Sequence, residues 1–172
     1  MGKYKEIEGD LIEFSYNGKF DVICQGNNCY NSQGAGIALQ FVKHFKTDTF
    51  TMERSGKGDI NKLGQIDYEL LYFSNWDRRF EKYIDEGDKI LYSLYVVNCY
   101  TQYHYGKKFG VPLDYDAITL CMRKINYKFN GKRIGLPIIG CGLASGDFNI
   151  VREIIIKELK DCDVTVVKLK KD

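Results

Sequence analysis

Hydrophobic and polar positions along this chain show two patterns, and each pattern predicts one kind of element. Between short apolar runs, apolar residues return every three or four positions, which is the spacing of a helix with one buried face. The longer runs 65–73 and 89–97 are rich in Ile, Leu, Tyr and Val, so they are expected to be adjacent antiparallel strands. The short apolar runs typical of buried strands lie at residues 4–8, 20–24, 134–139 and 164–169.

Three amphipathic helices are predicted from the apolar residues that should face the core. The first begins at Gly36 and ends near His44, the second follows Asp114, and the third follows Asp147. An aspartate before a helix accepts hydrogen bonds from its first free N–H groups, so Asp114 and Asp147 are expected N-caps. The inward-facing residues are Ile37, Ala38, Phe41 and Phe45 in the first helix, Ile118, Cys121, Met122 and Ile125 in the second, and Ile150, Ile154, Ile155 and Leu159 in the third.

Strands that alternate with helices predict an α/β fold, a three-layer α/β/α sandwich with a mixed central sheet. The 172 residues are enough for one substantial core and few for two, so residues 1–172 are interpreted as a single domain. The polar segment 47–64 has no strong periodicity and is expected to be an irregular surface segment of the kind that can fold over a ligand.

The composition is that of an ordinary globular protein. Hydrophobic residues make up 44% of the chain and charged residues 28%, which argues against a disordered or fibrous chain. The 25 Lys and Arg residues nearly balance the 23 Asp and Glu residues, so overall charge does not predict binding to a polynucleotide. A charged ligand would need a local site made by the backbone.

Cysteine and histidine spacing predicts neither a metal site nor a cofactor. The six cysteines form no CxxC pair and there are only two histidines, so zinc-site spacing and a redox motif are both missing. No run approaches the ~18 apolar residues of a membrane span. A cytoplasmic monomer with reduced thiols and no membrane association is therefore expected.

Two glycine-rich loops are the most informative feature of the sequence. Residues 33–38 and 139–147 each follow an apolar run and each lead into a predicted helix. Backbone N–H groups at a helix N-terminus bind phosphate, and glycine lets the anion approach closely. Loops at the carboxyl ends of strands meet at one edge of an open α/β sheet, so the pair could grip a pyrophosphate from both sides. The alternative is that these glycines only permit close packing of helix on strand.

Neither loop matches the better-known nucleotide motifs. Leu39 stands where a dinucleotide fingerprint has its third glycine, and the GxxxxGK[ST] pattern of a P-loop is missing. A Rossmann domain and a P-loop nucleoside triphosphatase are both disfavoured.

The order of four short motifs resembles the macrodomain, the ADP-ribose-binding fold, over nearly the whole chain. The motifs are residues 9–11 (GDL), 21–23 (DVI), 34–38 (GAGIA) and 136–143 (LPIIGCGL). The third and fourth motifs, at residues 34–38 and 136–143, look most like the branch that contains terminal ADP-ribose protein glycohydrolase and small ADP-ribose-1''-phosphate phosphatases. The resemblance implies a metal-independent site that binds ADP-ribose.

Carried over by position, the resemblance implies roles for particular residues. Asp10 would accept a hydrogen bond from the adenine amino group beside the backbone of Leu11, although Gly-Asp is also common in turns. Asn28 would face the distal ribose, unless this Asn-rich loop satisfies its own backbone. Phe148 would wall the ribose or adenine pocket, unless it belongs to the core. The implied substrate-binding set is Asp10, Leu11, Gln33, Gly34, Ala35, Gly36, Ile37, Ile139, Gly140, Cys141, Gly142, Leu143, Ala144, Ser145, Gly146 and Phe148.

The catalytic residues of the glycohydrolase branch are not present in this chain. Ala144 occupies the position of its aspartate, and Asn98 is the nearest match to its lysine, so a lysine-adduct mechanism is disfavoured. The acid that remains is Asp147, which would orient or deprotonate a water, with Asn28 beside the ribose. The competing interpretation of Asp147 is an N-cap for the last helix.

Three further residues are of types that often act in catalysis, but each has a structural interpretation that we favour. Cys141 lies near a helix N-terminus, but it has no histidine partner in the sequence and is disfavoured as a nucleophile. His44 is expected to be a surface residue or a partner of the helix C-terminal dipole, and His104 a solvated loop residue.

The function that the resemblance implies is binding of ADP-ribose and hydrolysis of ADP-ribose-1''-phosphate to ADP-ribose and phosphate. Two alternatives keep the same ligand: removal of ADP-ribose from modified protein or nucleic acid, and a non-catalytic ADP-ribose sensor or sequestering module. Another is a general nucleotide-binding α/β domain. The expected partners are ADP-ribose, its 1''-phosphate and ADP-ribosylated macromolecules.

Overall fold

The computed structural model describes residues 2–74, 76–77, 82–83, 90–106, 111–142 and 144–171. Two single turns of 3-10 helix, Thr47–Thr49 and Ile60–Lys62, lie in the segment 46–65. The strands and α-helices, in chain order, are β1 (Tyr4–Glu8), α1 (Leu11–Tyr16), β2 (Val22–Asn28), α2 (Gly36–Phe45), β3 (Ile66–Ser74), β4 (Trp76–Asp77), β5 (Lys82–Tyr83), β6 (Ile90–Gln102), α3 (Tyr115–Lys128), β7 (Arg133–Leu136), α4 (Phe148–Glu158) and β8 (Asp163–Lys168).

A mixed sheet forms the centre of the described part of the chain, with the strand order β1-β8-β7-β2-β6-β3. Each neighbouring pair is parallel except β3 and β6, which run antiparallel with Ile66 opposite Cys99. The predicted antiparallel pair is therefore confirmed. The carboxyl ends of the five parallel strands lie along one edge, where the loops after β2 and β7 emerge.

Helices cover both faces of this sheet. Side chains alternate along β2, so Ile23 packs with residues of α1 and α2, whereas Val22 and Cys24 pack with residues of α3 and α4. All three side chains are fully buried. The predicted three-layer α/β/α sandwich with a mixed sheet is confirmed.

The helix caps follow the prediction. The Asp114 carboxylate accepts a hydrogen bond from the Ala117 N–H at 3.0 Å, and the Asp147 carboxylate accepts one from the Asn149 N–H at 2.9 Å. Both aspartates are the N-caps of their helices, α3 and α4. Because these N–H groups have no partner within the helix, the carboxylates determine where each helix begins.

Several sequence-based details are wrong for local reasons. Ile37 and Ile150, expected to face the core, are 36% and 44% exposed, because each lies in the first turn of its helix. The strand predicted to reach Ile139 ends at Leu136, since Pro137 has no N–H to donate to a neighbouring strand. Helix α1 was not predicted, because six residues are too few to show a helical period.

The irregular segment 47–64 is attached to the sheet by a carboxylate on β3. One oxygen of Asp67 accepts a hydrogen bond from the Met52 N–H at 2.8 Å. Burial raises the pKa of Asp67 from 3.8 to about 6. The folded protein therefore holds a proton on this group at pH values where the unfolded chain has lost it.

This raised pKa makes stability fall as pH increases. Between pH 4 and pH 6 the group releases its proton in the unfolded chain first, so the free energy of unfolding should drop by roughly 3 kcal/mol. Asp67→Asn keeps an oxygen for the Met52 N–H and removes the charge, and should therefore flatten this dependence. Urea unfolding at pH 4, 5, 6 and 7 measures the effect, with the exposed Asp48→Asn as control. Parallel pH profiles for Asp67→Asn and the wild type would contradict the assignment.

Candidate functional site

Two adjoining cavities open at the carboxyl edge of the parallel strands. The smaller, of about 360 Å³, lies between the two glycine-rich loops. The larger, of about 790 Å³, lies between α1 and α2. The two cavities share a wall made of Gly36, Ile37, Pro137 and Ile138. A ligand can therefore extend from one cavity into the other across both loops.

The first loop presents the uncapped N-terminus of α2 to the smaller cavity. Ala35 is the N-cap residue and makes no side-chain cap hydrogen bond, and Gly36 adopts a left-handed φ of 58°. The residues from Ala35 to Ala38 all line the smaller cavity. Because no side chain satisfies the first N–H groups of this helix in the described structure, they retain the partial positive charge that attracts anions.

The second loop is closed on itself and packed against a core side chain. The Gly146 N–H donates to the Gly140 carbonyl at 2.9 Å. A Cβ at Gly146 would lie 2.3 Å from Leu113 Cδ2, and Gly140 adopts a φ of 72°. Gly142, by contrast, lines the smaller cavity, and a Cβ there would meet no heavy atom within 4 Å. The glycines at 140 and 146 therefore shape the loop, while Gly142 leaves room in front of it.

Most residues that the sequence singled out lie around these cavities. Leu143 lies outside the described residues. The residues that line the smaller cavity are Asn28, Gly34, Ala35, Gly36, Ile37, Ile139, Gly140, Gly142 and Ala144. Those that line the larger cavity are Asp10, Leu11, Gly36 and Ile37. Those that line neither are Gln33, Cys141, Ser145, Gly146, Asp147 and Phe148.

The two polar side chains expected to contact ligand also make local hydrogen bonds. Asp10 is the N-cap of α1, and one carboxylate oxygen accepts from the Ile12 N–H at 2.8 Å. The Asn28 oxygen accepts from the N–H groups of Tyr30 and Ser32, and its Nδ2 donates to the Ser32 carbonyl at 2.9 Å. Asn28 therefore holds the conformation of its own loop. Its Nδ2 carries a second N–H that these contacts do not use.

Asp147 and Phe148 occupy structural positions at the start of α4. One Asp147 oxygen caps the helix, and the Asp147 N–H donates to the Tyr115 hydroxyl at 2.9 Å. The Phe148 ring packs under two cations, with Arg152 Cζ at 4.8 Å and Lys168 Nζ at 5.6 Å from its centroid. The structure therefore shows contacts for both residues that need no ligand.

Cys141 has an environment that disfavours the thiolate. Its Sγ donates to the Ile139 carbonyl at 3.4 Å. Burial, with a smaller contribution from the negative charge of Asp147, raises the pKa of Cys141 to about 11. A nucleophilic cysteine needs the opposite shift, so the geometry agrees with the sequence in assigning it no chemical role.

Alkylation should reveal this raised pKa directly. At pH 8 the Cys141 thiolate fraction should be on the order of 0.001, so labelling by iodoacetamide should be far slower than for free cysteine. Peptide mass spectrometry between pH 7 and pH 11 should show labelling of Cys141 accelerate only near the upper limit, with Cys141→Ser giving the background. Rapid labelling at pH 7 would show that the site activates the thiol after all.

Sequence reasoning missed several polar residues that line the cavities. His44, expected at the surface or as a partner of the helix C-terminal dipole, lies in the last turn of α2 and lines the larger cavity together with Gln40. Its Nδ1 lies 3.0 Å from the Tyr16 hydroxyl. Ile37, Gln40 and His44 are spaced as one face of a helix, so this stripe was a usable signal. The residues missed are Asn27, Ser32, Gln102 and Tyr105 in the smaller cavity and Glu13, Tyr16, Gln40 and His44 in the larger.

A network of buried polar side chains holds the first loop against the protein interior. Gln25 Nε2 donates to the side-chain oxygens of Gln33 and Asn98, both at 2.9 Å, and the Thr47 hydroxyl donates to Gln33 at 2.7 Å. All four side chains are buried. Gln33 and Asn98 therefore anchor the loop in the protein interior and do not face the ligand cavities.

A buried carboxylate joins this network to the cavity wall. Glu53 is 6% exposed, and its Oε1 accepts from Asn27 Nδ2 at 3.1 Å. Burial raises the pKa of Glu53, and the nearby Gln33 and Tyr100 side chains oppose that effect. Since Asn27 lines the smaller cavity, Glu53 connects the segment 47–64 to the site.

Neither a metal centre nor a membrane-spanning helix is found within the described ranges. No group of three or more His, Cys, Asp or Glu side chains there is arranged to hold a metal ion. No helix in the same residues is both long and apolar enough to cross a membrane.

Comparison with known proteins places the fold. No family model matches the chain. An uncharacterized 17.5 kDa protein of phage T4, from the tk–vs intergenic region, is 28% identical over 95% of this chain and 94% of its own length.

Solved structures with the same architecture include macrodomains. The macrodomain of Mycobacterium tuberculosis DarG superposes with a TM-score of 0.66 at 18% identity, covering 97% of this chain and 98% of that one. Thermosipho africanus DarTG, solved in complex with ADP-ribose, superposes with a TM-score of 0.68 at 14% identity, covering 98% of this chain and 42% of that one. The protein has the macrodomain fold, as the order of its sequence motifs predicted.

Proposed function

We propose that the protein binds ADP-ribose across the two joined cavities. The pyrophosphate lies between the glycine loops, the distal ribose in the smaller cavity and the adenosine in the larger. The observation that carries this proposal is the shared wall at Gly36 and Ile37, which puts the free N–H groups of α2 at the junction of the two cavities. A diphosphate at that junction would leave the adenosine on one side and the distal ribose on the other.

The lining of the smaller cavity favours an anion that is bound by backbone groups. Its lining contains no charged side chain among the described residues. Peptide N–H groups in two glycine-containing loops supply the donors, and they approach the anion without the bulk of side chains. The solved complex of Thermosipho africanus DarTG with ADP-ribose has the same fold and supports this choice of ligand.

A carboxylate placed at Gly142 should weaken ADP-ribose binding. Gly142→Glu projects into open space beside the smaller cavity, so the fold should survive while the negative charge repels the pyrophosphate. We expect ADP-ribose affinity, measured by calorimetry, to fall by at least about tenfold, which is roughly 1.4 kcal/mol.

Gly56→Glu is the matched control for this change. A Cβ at Gly56 also meets no heavy atom within 4 Å, and Gly56 lines neither cavity. The control should bind like the wild type and unfold at a similar temperature. Wild-type affinity in a folded Gly142→Glu variant would refute the proposed binding mode, and AMP binding as tight as ADP-ribose binding would favour a general nucleotide-binding domain.

We propose in addition that the protein hydrolyses ADP-ribose-1''-phosphate to ADP-ribose and phosphate. The terminal phosphate would enter the smaller cavity beside Asn28, whose side chain is fixed by three hydrogen bonds and retains one unused N–H. That N–H is suited to orienting the phosphate or an attacking water. Asp147 lines neither cavity. We therefore propose that its main role is to cap α4, and that its contribution to turnover is smaller than that of Asn28.

Phosphate release from ADP-ribose-1''-phosphate tests this activity. Asn28→Ala should slow release by about tenfold or more, because it removes the orienting amide. Asp147→Asn keeps an oxygen that can cap α4 and removes the charge, so it should retain most of the rate. Loss of turnover in Asp147→Asn with unchanged affinity would instead identify Asp147 as the general base. Release of ADP-ribose from modified protein or nucleic acid, without phosphate release, would favour an ADP-ribosyl hydrolase, and binding without turnover a sensor.

A further inference from the structure

The strand pairing changes at the edge of the sheet that faces the smaller cavity. Asn27 of β2 lies opposite Tyr100 of β6. The next residue of β2, Asn28, lies opposite Gln102, so Thr101 is an extra residue and β6 has a bulge at this point. A bulge places two residues against one on the partner strand and redirects a side chain, and bulges are frequent beside active sites. Here the bulge brings Gln102 into register with Asn28, where both residues line the smaller cavity.

One hydrogen bond fixes the orientation of the Gln102 side chain. Its Nε2 donates to the His104 carbonyl at 2.6 Å. Because a carbonyl oxygen only accepts, the amide nitrogen must face His104, and the amide oxygen, Oε1, must point away from it. Among the described residues, none donates a hydrogen bond to this oxygen. Gln102 therefore keeps an acceptor beside the cavity that its own contacts do not use.

Asn28 supplies the complementary group on the neighbouring strand. Its oxygen and one N–H are used within its own loop, which leaves the second N–H of Nδ2. Neighbouring strands lie about 4.8 Å apart, and one water that makes two hydrogen bonds of about 2.8 Å spans a similar distance. A donor and an acceptor in register on adjacent strands can thus hold one water between them, and that water keeps a free lone pair.

We propose that Gln102 is a catalytic residue that, together with Asn28, orients the water that attacks the terminal phosphate of ADP-ribose-1''-phosphate. The inference rests on the proposed hydrolysis and adds a second residue to it. The water donates an O–H to Gln102 Oε1 and accepts from Asn28 Nδ2, and its free lone pair forms the new bond to phosphorus. The bond from phosphorus to the ribose oxygen breaks, and that oxygen leaves with the electron pair. One water proton stays on the phosphate product and the other passes to the ribose oxygen, so the amides orient the water and take up no proton.

Two substitutions separate this role from a structural one. Gln102→Met has a side chain of similar length, and it removes both the N–H that is donated to His104 and the acceptor oxygen. Gln102→Glu also removes that N–H but keeps oxygen acceptors. If Gln102 only held the chain at His104, both variants would be equally slow. If it orients the water, the methionine variant is the slower one.

The assay measures phosphate release from ADP-ribose-1''-phosphate, and calorimetry measures the affinity for ADP-ribose, which has no terminal phosphate. The variants are compared by kcat, because the new charge of Gln102→Glu repels the phosphate and raises KM. Gln65→Met is the matched control, since it makes the same change at an exposed glutamine that lines neither cavity.

We expect Gln102→Met to lower kcat by about tenfold or more, while the Kd for ADP-ribose changes by less than about twofold. Gln102→Glu should keep a kcat at least about threefold above that of Gln102→Met, and Gln65→Met should match the wild type. Adding Gln102→Met to Asn28→Ala should slow phosphate release little further, because both residues hold the same water.

A wild-type kcat in Gln102→Met, equal losses in Gln102→Met and Gln102→Glu, or losses that multiply when Gln102→Met is combined with Asn28→Ala would overturn this inference and leave the proposed hydrolysis standing. A wild-type protein that binds ADP-ribose but releases no phosphate from the 1''-phosphate would overturn the hydrolysis and this inference together, and the proposed binding would stand.

Discussion

Parallel pairing of β2 with β7 is the constraint on which the site depends. Val22 lies opposite Ile134 and Ile23 opposite Gly135, so the two strands run side by side towards the same edge. Their loops, although more than 100 residues apart in the chain, then emerge next to each other. Because both loops present glycine backbone at that edge, one continuous cleft forms with peptide groups on two sides.

Both apolar packing and buried polar contacts hold the walls of the cleft in place. Apolar side chains pack the two sheet faces, but the first loop is anchored through Gln33, which accepts hydrogen bonds from Gln25 and Thr47. The buried Glu53 side chain in turn accepts a hydrogen bond from Asn27 of β2. Buried polar groups lose hydration, and hydrogen bonds such as these offset part of that cost. A network of this kind stabilises one loop conformation over others, which is what a preorganised anion site requires.

Local sequence features predicted the elements well and the orientation of side chains poorly. The caps Asp114 and Asp147 were predictable because capping depends on neighbouring residues alone. The burial of Gln33 and the position of His44 were not, because both depend on what lies opposite them in the fold. Gln33 meets Gln25 and Thr47, and His44 meets Tyr16, across separations of 8 to 28 residues.

Local sequence predicts the layer architecture, the starts of α2, α3 and α4 and the two glycine loops, since these follow from hydrophobic period, capping and backbone freedom within short windows. The tertiary structure decided which side chains face the cleft. It brought Tyr16 of α1 and His44 of α2 together at the end of the larger cavity. Such contacts join residues on different elements, and only the packing of α1 and α2 on a common sheet brings those residues within hydrogen-bonding distance.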